Sequence, residues 1–269
     1  MYYYLYDLFL NDNKYQKILH SIENRTVDLG INGKIGRVSM LLSPEKLIKE
    51  EIKKGVTTIV AVGNDETVNK LIKISAEKKI TLGIIPVGKN NKIAKILGIP
   101  EGAGACDILS QRRVKKIDLI KINNHYCLSE LKTEIKNAQI ICENKYEVNL
   151  ISKTGEAYIY NLADKNEIQK IFNLKQDINK YFNPEDGLLD LVIRPGSLNL
   201  MHKFLTIFKK NKVNINDVSI IPIKKIQIIP RKKEEISVIC DSNLILKAPL
   251  NIKILPQALN VIVSKNRKF

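Results

Sequence analysis

Two spacings of hydrophobic residues alternate over about the first 120 positions of the chain. Continuous or β-branched apolar runs predict strands at residues 2–10, 34–41, 57–62 and 81–87. Apolar residues at helical spacing predict helices at residues 12–22, 43–52, 67–78 and 92–97. Such alternation is typical of parallel strands joined by crossover helices. The loops at residues 63–67 and 88–91 follow buried strands, so we expect them at the carboxyl edge of the sheet, where ligands bind.

The pattern changes near residue 117. Short apolar runs separated by turn residues predict strands at residues 117–122, 125–128, 139–142, 147–151, 157–161, 188–193, 223–229, 235–240, 244–246, 250–254 and 258–263. One helix is predicted among them, at about residues 198–210. The predicted fold class is therefore α/β plus β. A doubly wound α/β domain covers residues 1–117, and an antiparallel β-sandwich covers 118–269, with its last residues returning to the first domain.

Composition indicates a folded chain and narrows the choice of partners. The 269 residues are 44% hydrophobic and 27% charged, which excludes a mainly disordered protein. Lys and Arg number 44 against 28 Asp and Glu, a net charge of +16 that fits nucleotide phosphates, nucleic acid or an acidic membrane surface. The alternative is that lysine is abundant, together with asparagine and isoleucine, only because their codons are rich in A and T.

Cysteine spacing and hydrophobicity exclude other classes of protein. None of the four cysteines belongs to a C-x-x-C motif or has a histidine at ligand spacing, so neither a zinc site nor a redox motif is predicted. Free thiols are typical of proteins in a reducing cytosol. No apolar run approaches the roughly 18 residues that a helix needs to span a bilayer. The apolar start has no basic leader and predicts a strand rather than a signal peptide. We expect a cytoplasmic protein, either free or peripheral at the membrane.

Four motifs carry a resemblance to a known family. Residues 58–69 read T-I-V-A-V-G-N-D-E-T-V-N, which resembles the G-G-D-G-T-x-N loop of the diacylglycerol kinase family, a family that includes sphingosine kinases and bacterial lipid kinases. Residues 82–94, L-G-I-I-P-V-G-K-N-N-K-I-A, are similar to its second signature, L-G-x-x-P-x-G-T-x-N-D-F-A. Residues 186–190 resemble the D-G-x-L-D turn, and residues 249–259 resemble the family's ending after D-G-E. The motifs follow the family's order along nearly the whole chain.

The resemblance implies a nucleotide-binding α/β domain and a β-sandwich domain, with a site in the cleft between them. There, ATP and magnesium would serve transfer of the γ-phosphate to a diacylglycerol-type lipid hydroxyl. Backbone amides at a glycine-containing loop and the following helix dipole suit phosphate binding. The implied nucleotide-binding residues are Ser39, Gly63, Asn64, Asp65, Glu66, Thr67, Gly88, Lys89 and Asn91. By the same resemblance, Asp65 matches the family's loop aspartate and is also a candidate catalytic residue. A magnesium site is implied at Asn183, Asp186 and Leu188, although residues 186–187 also fit a plain hairpin turn.

The chain departs from the family at several of these positions. Asn64 and Glu66 replace loop glycines, and Glu66 puts a carboxylate where nucleotide phosphates should lie. Lys89 and Lys92 replace the threonine and the aspartate of the second signature. Asn243 stands where the family has its general base, a glutamate, and an amide cannot accept a proton.

These departures leave three interpretations open. In the first, Glu66 and Lys89 form a compensating ion pair, and the chain is a pseudokinase with a closed or repurposed pocket. In the second, Lys89 and Lys92 neutralise phosphates directly, so weak phosphoryl transfer survives. In the third, the protein is not an enzyme and binds an anionic membrane surface through its lysine-rich segments. No nucleic-acid recognition motif is present, and the sequence leaves a homodimer open.

Overall fold

The chain forms two compact units. The computed structural model describes residues 1–38, 44–136, 138–148, 154–174, 177–196, 218–231, 235–241 and 244–269. The first unit comprises Met1–Leu119 and Pro256–Phe269, and the second comprises Ile120–Leu255. The chain passes between the units inside two strands, Val114–Ile122 (β5) and Leu250–Ile262 (β16). The predicted helix at residues 198–210 and the predicted site residues Ser39 and Asn243 lie outside the described residues.

The first unit is built on a parallel sheet. Its strands run in the order β2-β1-β3-β4, and Val261 of β16 pairs with Leu82 of β4 in parallel. Their bounds are β1 Tyr2–Tyr6, β2 Lys34–Arg37, β3 Thr58–Gly63 and β4 Thr81–Pro86. The helices are α1 Gln16–Asp28, α2 Pro44–Lys53, α3 Asp65–Lys78, α4 Lys92–Ile96 and α5 Gly104–Ser110. Every residue of β1 and β3 is buried, as expected for parallel strands covered on both faces.

The first predicted strand is too long. It was expected to span residues 2–10, but β1 ends at Tyr6 and the chain turns into a 3-10 helix at Leu8–Asn11. The carboxylate of Asp7 causes this early end, because its Oδ1 accepts a hydrogen bond from the backbone N–H of Leu8 at 2.6 Å and so caps the turn. The end of β1 therefore brings Asp7 to the carboxyl edge of the sheet.

The second unit is a sandwich of antiparallel strands, which confirms the predicted fold class. One sheet has the order β16-β13-β8-β9, with the β5–β6 hairpin joined to β16, and the other has the order β12-β11-β10-β7-β14-β15. Apolar residues from both sheets, such as Ile226 and Leu191, form one buried core. The remaining elements are β6 His125–Cys127, β7 Glu130–Glu134, β8 Ala138–Cys142, β9 Tyr146–Val148, β10 Gly155–Tyr160, α6 Lys165–Ile171, β11 Leu189–Pro195, β12 Ser219–Ile223, β13 Lys225–Pro230, β14 Ser237–Cys240 and β15 Leu244–Lys247.

Helix α6 was not predicted. It has seven residues, too few for a clear apolar period, and its N-terminus is capped by Asp164, whose Oδ1 accepts from the backbone N–H groups of Asn166 and Glu167. Within the parts of the chain that are described, no helix is long and apolar enough to cross a membrane.

Candidate functional site

The first predicted phosphate loop leaves β3 at a glycine whose position is too crowded for a side chain. Gly63 has φ +152°, and a Cβ added there would lie 2.2 Å from Oγ1 of Thr67. A side chain at this position would therefore force the threonine away. Gly63 thus allows the close approach of strand end and helix start that the motif predicted.

Asn64 caps helix α3 with its own side chain. Its Oδ1 accepts hydrogen bonds from the backbone N–H groups of Glu66 at 3.1 Å and Thr67 at 3.4 Å, while Oγ1 of Thr67 accepts from the backbone N–H of Asn64 at 3.2 Å. This reciprocal pair is a capping box. The amide donors that a phosphate would use at this helix N-terminus already have an acceptor inside the protein.

Asp7 is a buried carboxylate at this edge that the sequence analysis missed. Its Oδ2 accepts from Oγ1 of Thr67 at 2.8 Å and from Nζ of Lys70 at 2.9 Å. Burial alone would raise the pKa of Asp7, but the hydrogen bonds from Lys70 and Thr67 hold that pKa below its ordinary value. An aspartate directly after a buried strand was the signal that could have identified it.

Asp65 connects the first loop to the second. Its side chain is buried, and the carboxylate accepts from the backbone N–H groups of Lys92 at 2.7 Å and Ile93 at 3.1 Å, at the start of α4. Its own backbone N–H donates to the carbonyl of Asn90 at 3.0 Å. Asp65 therefore caps α4 and positions residues 88–91, whereas a role toward nucleotide or metal stays a prediction.

The second loop keeps amide donors available. Gly88 has φ +85° and Asn90 has φ +63°, and Nδ2 of Asn91 donates to the carbonyl of Gly88 at 2.9 Å. No described residue accepts a hydrogen bond from the backbone N–H of Gly88, Lys89 or Asn90. Successive amides in a turn of this kind form a concavity that suits an anion. The Lys89 side chain is exposed beside them.

The ion pair of the first interpretation, between Glu66 and Lys89, does not form in the described structure. Both side chains are exposed, and no contact of 4 Å or less joins their charged groups in the portion of the chain that is described. Asn64, rather than an ion pair, closes the first loop. The first interpretation of the departures therefore needs a different physical cause.

The candidate magnesium residues lie in one turn before β11. Oδ1 of Asp186 accepts from the backbone N–H of Leu188 at 2.9 Å, and Oδ1 of Asn183 accepts from that of Glu185 at 3.2 Å. Burial raises the pKa of Asp186. Burial and the nearby charge of Asp186 raise the pKa of Asp190 to about 6. The Asp186 carboxylate is the kind of oxygen ligand that a hard divalent cation prefers. Oδ2 of Asp190 already accepts from the backbone N–H of Phe182 at 2.6 Å, and a magnesium site in this turn stays a prediction.

Asp241 is the one described member of the tripeptide that matches D-G-E. Its carboxylate accepts from the backbone N–H groups of Leu128 at 3.0 Å, Ser129 at 2.9 Å and Glu130 at 2.9 Å. This ties the chain before Asn243 to the start of β7. The three hydrogen bonds indicate a structural role for the Asp241 carboxylate.

Two cysteines also meet at Asp241, which the sequence spacing could not show. Possible ligand atoms of Cys127, Cys240 and Asp241 lie within 4.8 Å of one another, and all three residues are buried. Burial raises the pKa of the Cys127 thiol well above its ordinary value, and the carboxylate is already occupied by backbone donors. These features favour a packed thiol pair over a metal centre.

Comparison with known proteins finds similarity to one family. The sequence model of the diacylglycerol kinase catalytic domain matches residues 8–122. A Staphylococcus aureus protein named "Putative lipid kinase" is 24% identical over 242 residues, which cover 78% of each chain. A diacylglycerol kinase of Staphylococcus haemolyticus is 33% identical over 81 residues, 29% of this chain and 24% of the relative. The crystal structure of a diacylglycerol kinase from Bacillus anthracis superposes with a TM-score of 0.71 at 20% identity, covering 99% of this chain and 97% of the other, and so supports the fold.

Proposed function

We propose that this chain, whose residues 8–122 match the model of the diacylglycerol kinase catalytic domain, is a lipid kinase-like protein in which phosphoryl transfer is impaired or lost. The ancestral reaction would move the γ-phosphate of ATP to a diacylglycerol-type lipid hydroxyl. The proposed domains are an α/β nucleotide-binding domain at residues 1–117 and a β-sandwich domain at 118–269, with the last residues returning to the first domain.

One observation carries the proposal. Oδ1 of Asn64 accepts from the N–H groups of Glu66 and Thr67, so a phosphate that approached the start of α3 would have to displace it. Displacing the Asn64 side chain removes the cap of helix α3, which contributes about 1 kcal/mol of stability. The exposed carboxylate of Glu66 would add repulsion.

The proposed catalytic step lacks a proton acceptor at the family's position. Asn243 stands where the resemblance implies a glutamate, and its amide cannot take the proton of an attacking hydroxyl. Positioning and electrostatics remain, because they supply most of the catalysis in phosphoryl transfer. Bound magnesium would neutralise phosphate charge, and Asp186, with the Asn183 and Leu188 carbonyls, would hold a structural ion in the second unit.

A second candidate function is nucleotide binding with slow transfer. It is supported by the second loop, where the N–H groups of Gly88, Lys89 and Asn90 have no acceptor in the described structure and the ammonium of Lys89 is exposed. In this form the second loop, rather than the first, would hold the phosphates. Binding to an anionic membrane surface and a homodimer both remain compatible with either candidate.

Calorimetry with ATP and magnesium tests the proposal. The wild type is compared with the double variant Asn64→Gly/Glu66→Gly, which frees the helix amides and removes the carboxylate. The matched control is Glu66→Gly alone, because it keeps the cap of Asn64 and loses only the carboxylate at residue 66. We expect ATP to bind the first variant at least about tenfold more tightly than the wild type, since one charge-assisted hydrogen bond is worth that much.

The outcomes separate the two candidates. If the control binds ATP no better than the wild type, the cap of Asn64 closes the loop. If the wild type already binds as tightly as the double variant, the self-capped loop is not an obstacle and the first candidate is wrong. A Lys89→Thr variant then shows whether the second loop holds the nucleotide.

A further inference from the structure

A basic cleft lies on the outer face of one sheet of the second unit. Its volume is about 360 Å³. The residues that line it are Lys121, Asn123, Asn144, Lys225, Ile226, Gln227, Asn251, Ile252 and Lys253. Three ammonium groups and four amide side chains therefore line one concave surface, without a carboxylate among them.

The register of the strands puts the positive charges side by side. Lys225 on β13 pairs directly with Lys253 on β16, and β5, which carries Lys121, pairs with the other edge of β16. Residues directly opposite in an antiparallel pair have Cβ atoms about 5 Å apart, and like charges there are destabilising. Three neighbouring strands thus concentrate like charge at one place.

No ion pair with an acidic side chain neutralises these three ammonium groups in the part of the protein that the structure describes. None of the three lysines has a carboxylate within 4 Å there, although lysines elsewhere, such as Lys70, do pair. Glu143 directly precedes Asn144, one of the residues that line the cleft. Its Oε1 accepts from the backbone N–H groups of Lys224 and Lys225, so it is held by the main chain.

Three of the four amide side chains of the cleft are joined by hydrogen bonds. Oδ1 of Asn123 accepts from the backbone N–H of Asn251 at 3.0 Å, and Nε2 of Gln227 donates to Oδ1 of Asn251 at 3.0 Å. The Asn251 side chain is thereby oriented with its Nδ2 donor group left over. No described residue accepts from that group. A fixed donor beside three ammonium groups is an arrangement that suits oxyanions.

We propose that this cleft is a binding site for a multiply charged phosphate group, held by Lys121, Lys225 and Lys253 together with the amide of Asn251. The group can come from a soluble phosphate compound or from the headgroup of a phosphomonoester lipid. The site belongs to the second unit alone and does not depend on whether the first unit binds ATP. An anion there relieves the repulsion between Lys225 and Lys253.

Calorimetric titration with inorganic pyrophosphate, without magnesium, tests the site. The variant Lys121→Gln/Lys225→Gln/Lys253→Gln is compared with a control of equal charge change, Lys17→Gln/Lys49→Gln/Lys73→Gln, whose exposed lysines lie on helices of the first unit. We expect the cleft variant to bind at least about tenfold more weakly than the wild type and the control to be unchanged. A cleft variant that binds like the wild type, or a control that loses as much, overturns the proposal.

Two further measurements keep the test specific. Side-chain amide signals of Asn123 and Asn251 in NMR spectra should shift on addition of pyrophosphate, whereas unmoved signals would place any binding elsewhere.

Sedimentation with phosphatidylcholine vesicles, with and without phosphatidic acid, then distinguishes the source of the phosphate. Cleft-dependent capture by phosphatidic acid indicates a lipid headgroup, and pyrophosphate binding without capture indicates a soluble compound. Failure of both ligands contradicts the site.

Discussion

Asp65 caps α4, so its replacement tests whether this carboxylate has a structural role or a catalytic one. Replacing Asp65 with alanine removes the acceptor of two backbone donors, at Lys92 and Ile93, and leaves both near the protein interior. Hydrogen bonds to a charged group are worth about 1.5–3 kcal/mol each. Because both bonds end on one carboxylate and water can partly replace it, we expect a loss of about 2–4 kcal/mol. The melting temperature should fall by roughly 5–10 °C.

Urea denaturation and hydrogen exchange measure this effect. The amides of Lys92 and Ile93 should exchange faster in Asp65→Ala, since they lose their acceptor. Asp65→Asn keeps one oxygen and should show a smaller loss of stability. Glu66→Gln is the matched control, because Glu66 lies in the same helical turn but is exposed, and it should stay within about 0.5 kcal/mol of the wild type.

If the free energy of unfolding of Asp65→Ala lies within about 0.5 kcal/mol of the wild-type value, Asp65 does not stabilise the fold as a cap. A variant that keeps full stability but loses ATP binding would instead assign Asp65 to the nucleotide, as the resemblance implies. Loss of stability together with unchanged ATP binding would assign it to the cap alone.

Three more predictions concern single residues. Gly63→Ala should destabilise the protein by about 1–3 kcal/mol in thermal denaturation, because its Cβ would meet Oγ1 of Thr67; an unchanged melting temperature contradicts the close approach. The lowered pKa of Asp7 means that its carboxylate stabilises the fold above the ordinary pKa and that this contribution is lost as the pH falls through the folded-state pKa. Asp7→Asn should therefore show a smaller loss of stability between pH 7 and pH 3 than the wild type, and equal pH dependence would count against the Lys70 and Thr67 contacts. Asp241→Ala should cost about 3 kcal/mol in urea denaturation, since three backbone donors lose their acceptor; a loss below about 1 kcal/mol would show that water replaces it.

Much of the fold was predictable because its signals are local. Buried parallel strands such as β3 and β4 are short, continuous apolar runs, and α3 shows a 3.6-residue period behind a capping residue. The error at β1 has a local cause as well. Asp7 interrupts an apolar run that continues to Leu10. Its carboxylate accepts from the N–H of Leu8, and its carbonyl accepts from the N–H of Leu10, so the chain turns there.

The candidate site was predictable in position but not in chemistry. The sequence pattern of a glycine-containing loop after a buried strand was enough to identify residues 63–67 and 88–91. Whether the amides of the first loop were available depended on the rotamer of Asn64, which sequence does not specify. The Glu66–Lys89 ion pair of the first interpretation could not be judged from sequence for the same reason, and both side chains are exposed in the described structure.

The sequence by itself determined the order of elements, the loops that carry the family motifs and the loss of a carboxylate at Asn243. Each of these follows from residue type and spacing along a short segment. Tertiary structure alone decided the contacts between distant residues. Thr67 meets Asp7 from 60 positions away, and Lys225 meets Lys253 through strand register. Register and side-chain rotamer result from packing of the whole unit, so no local pattern encodes them.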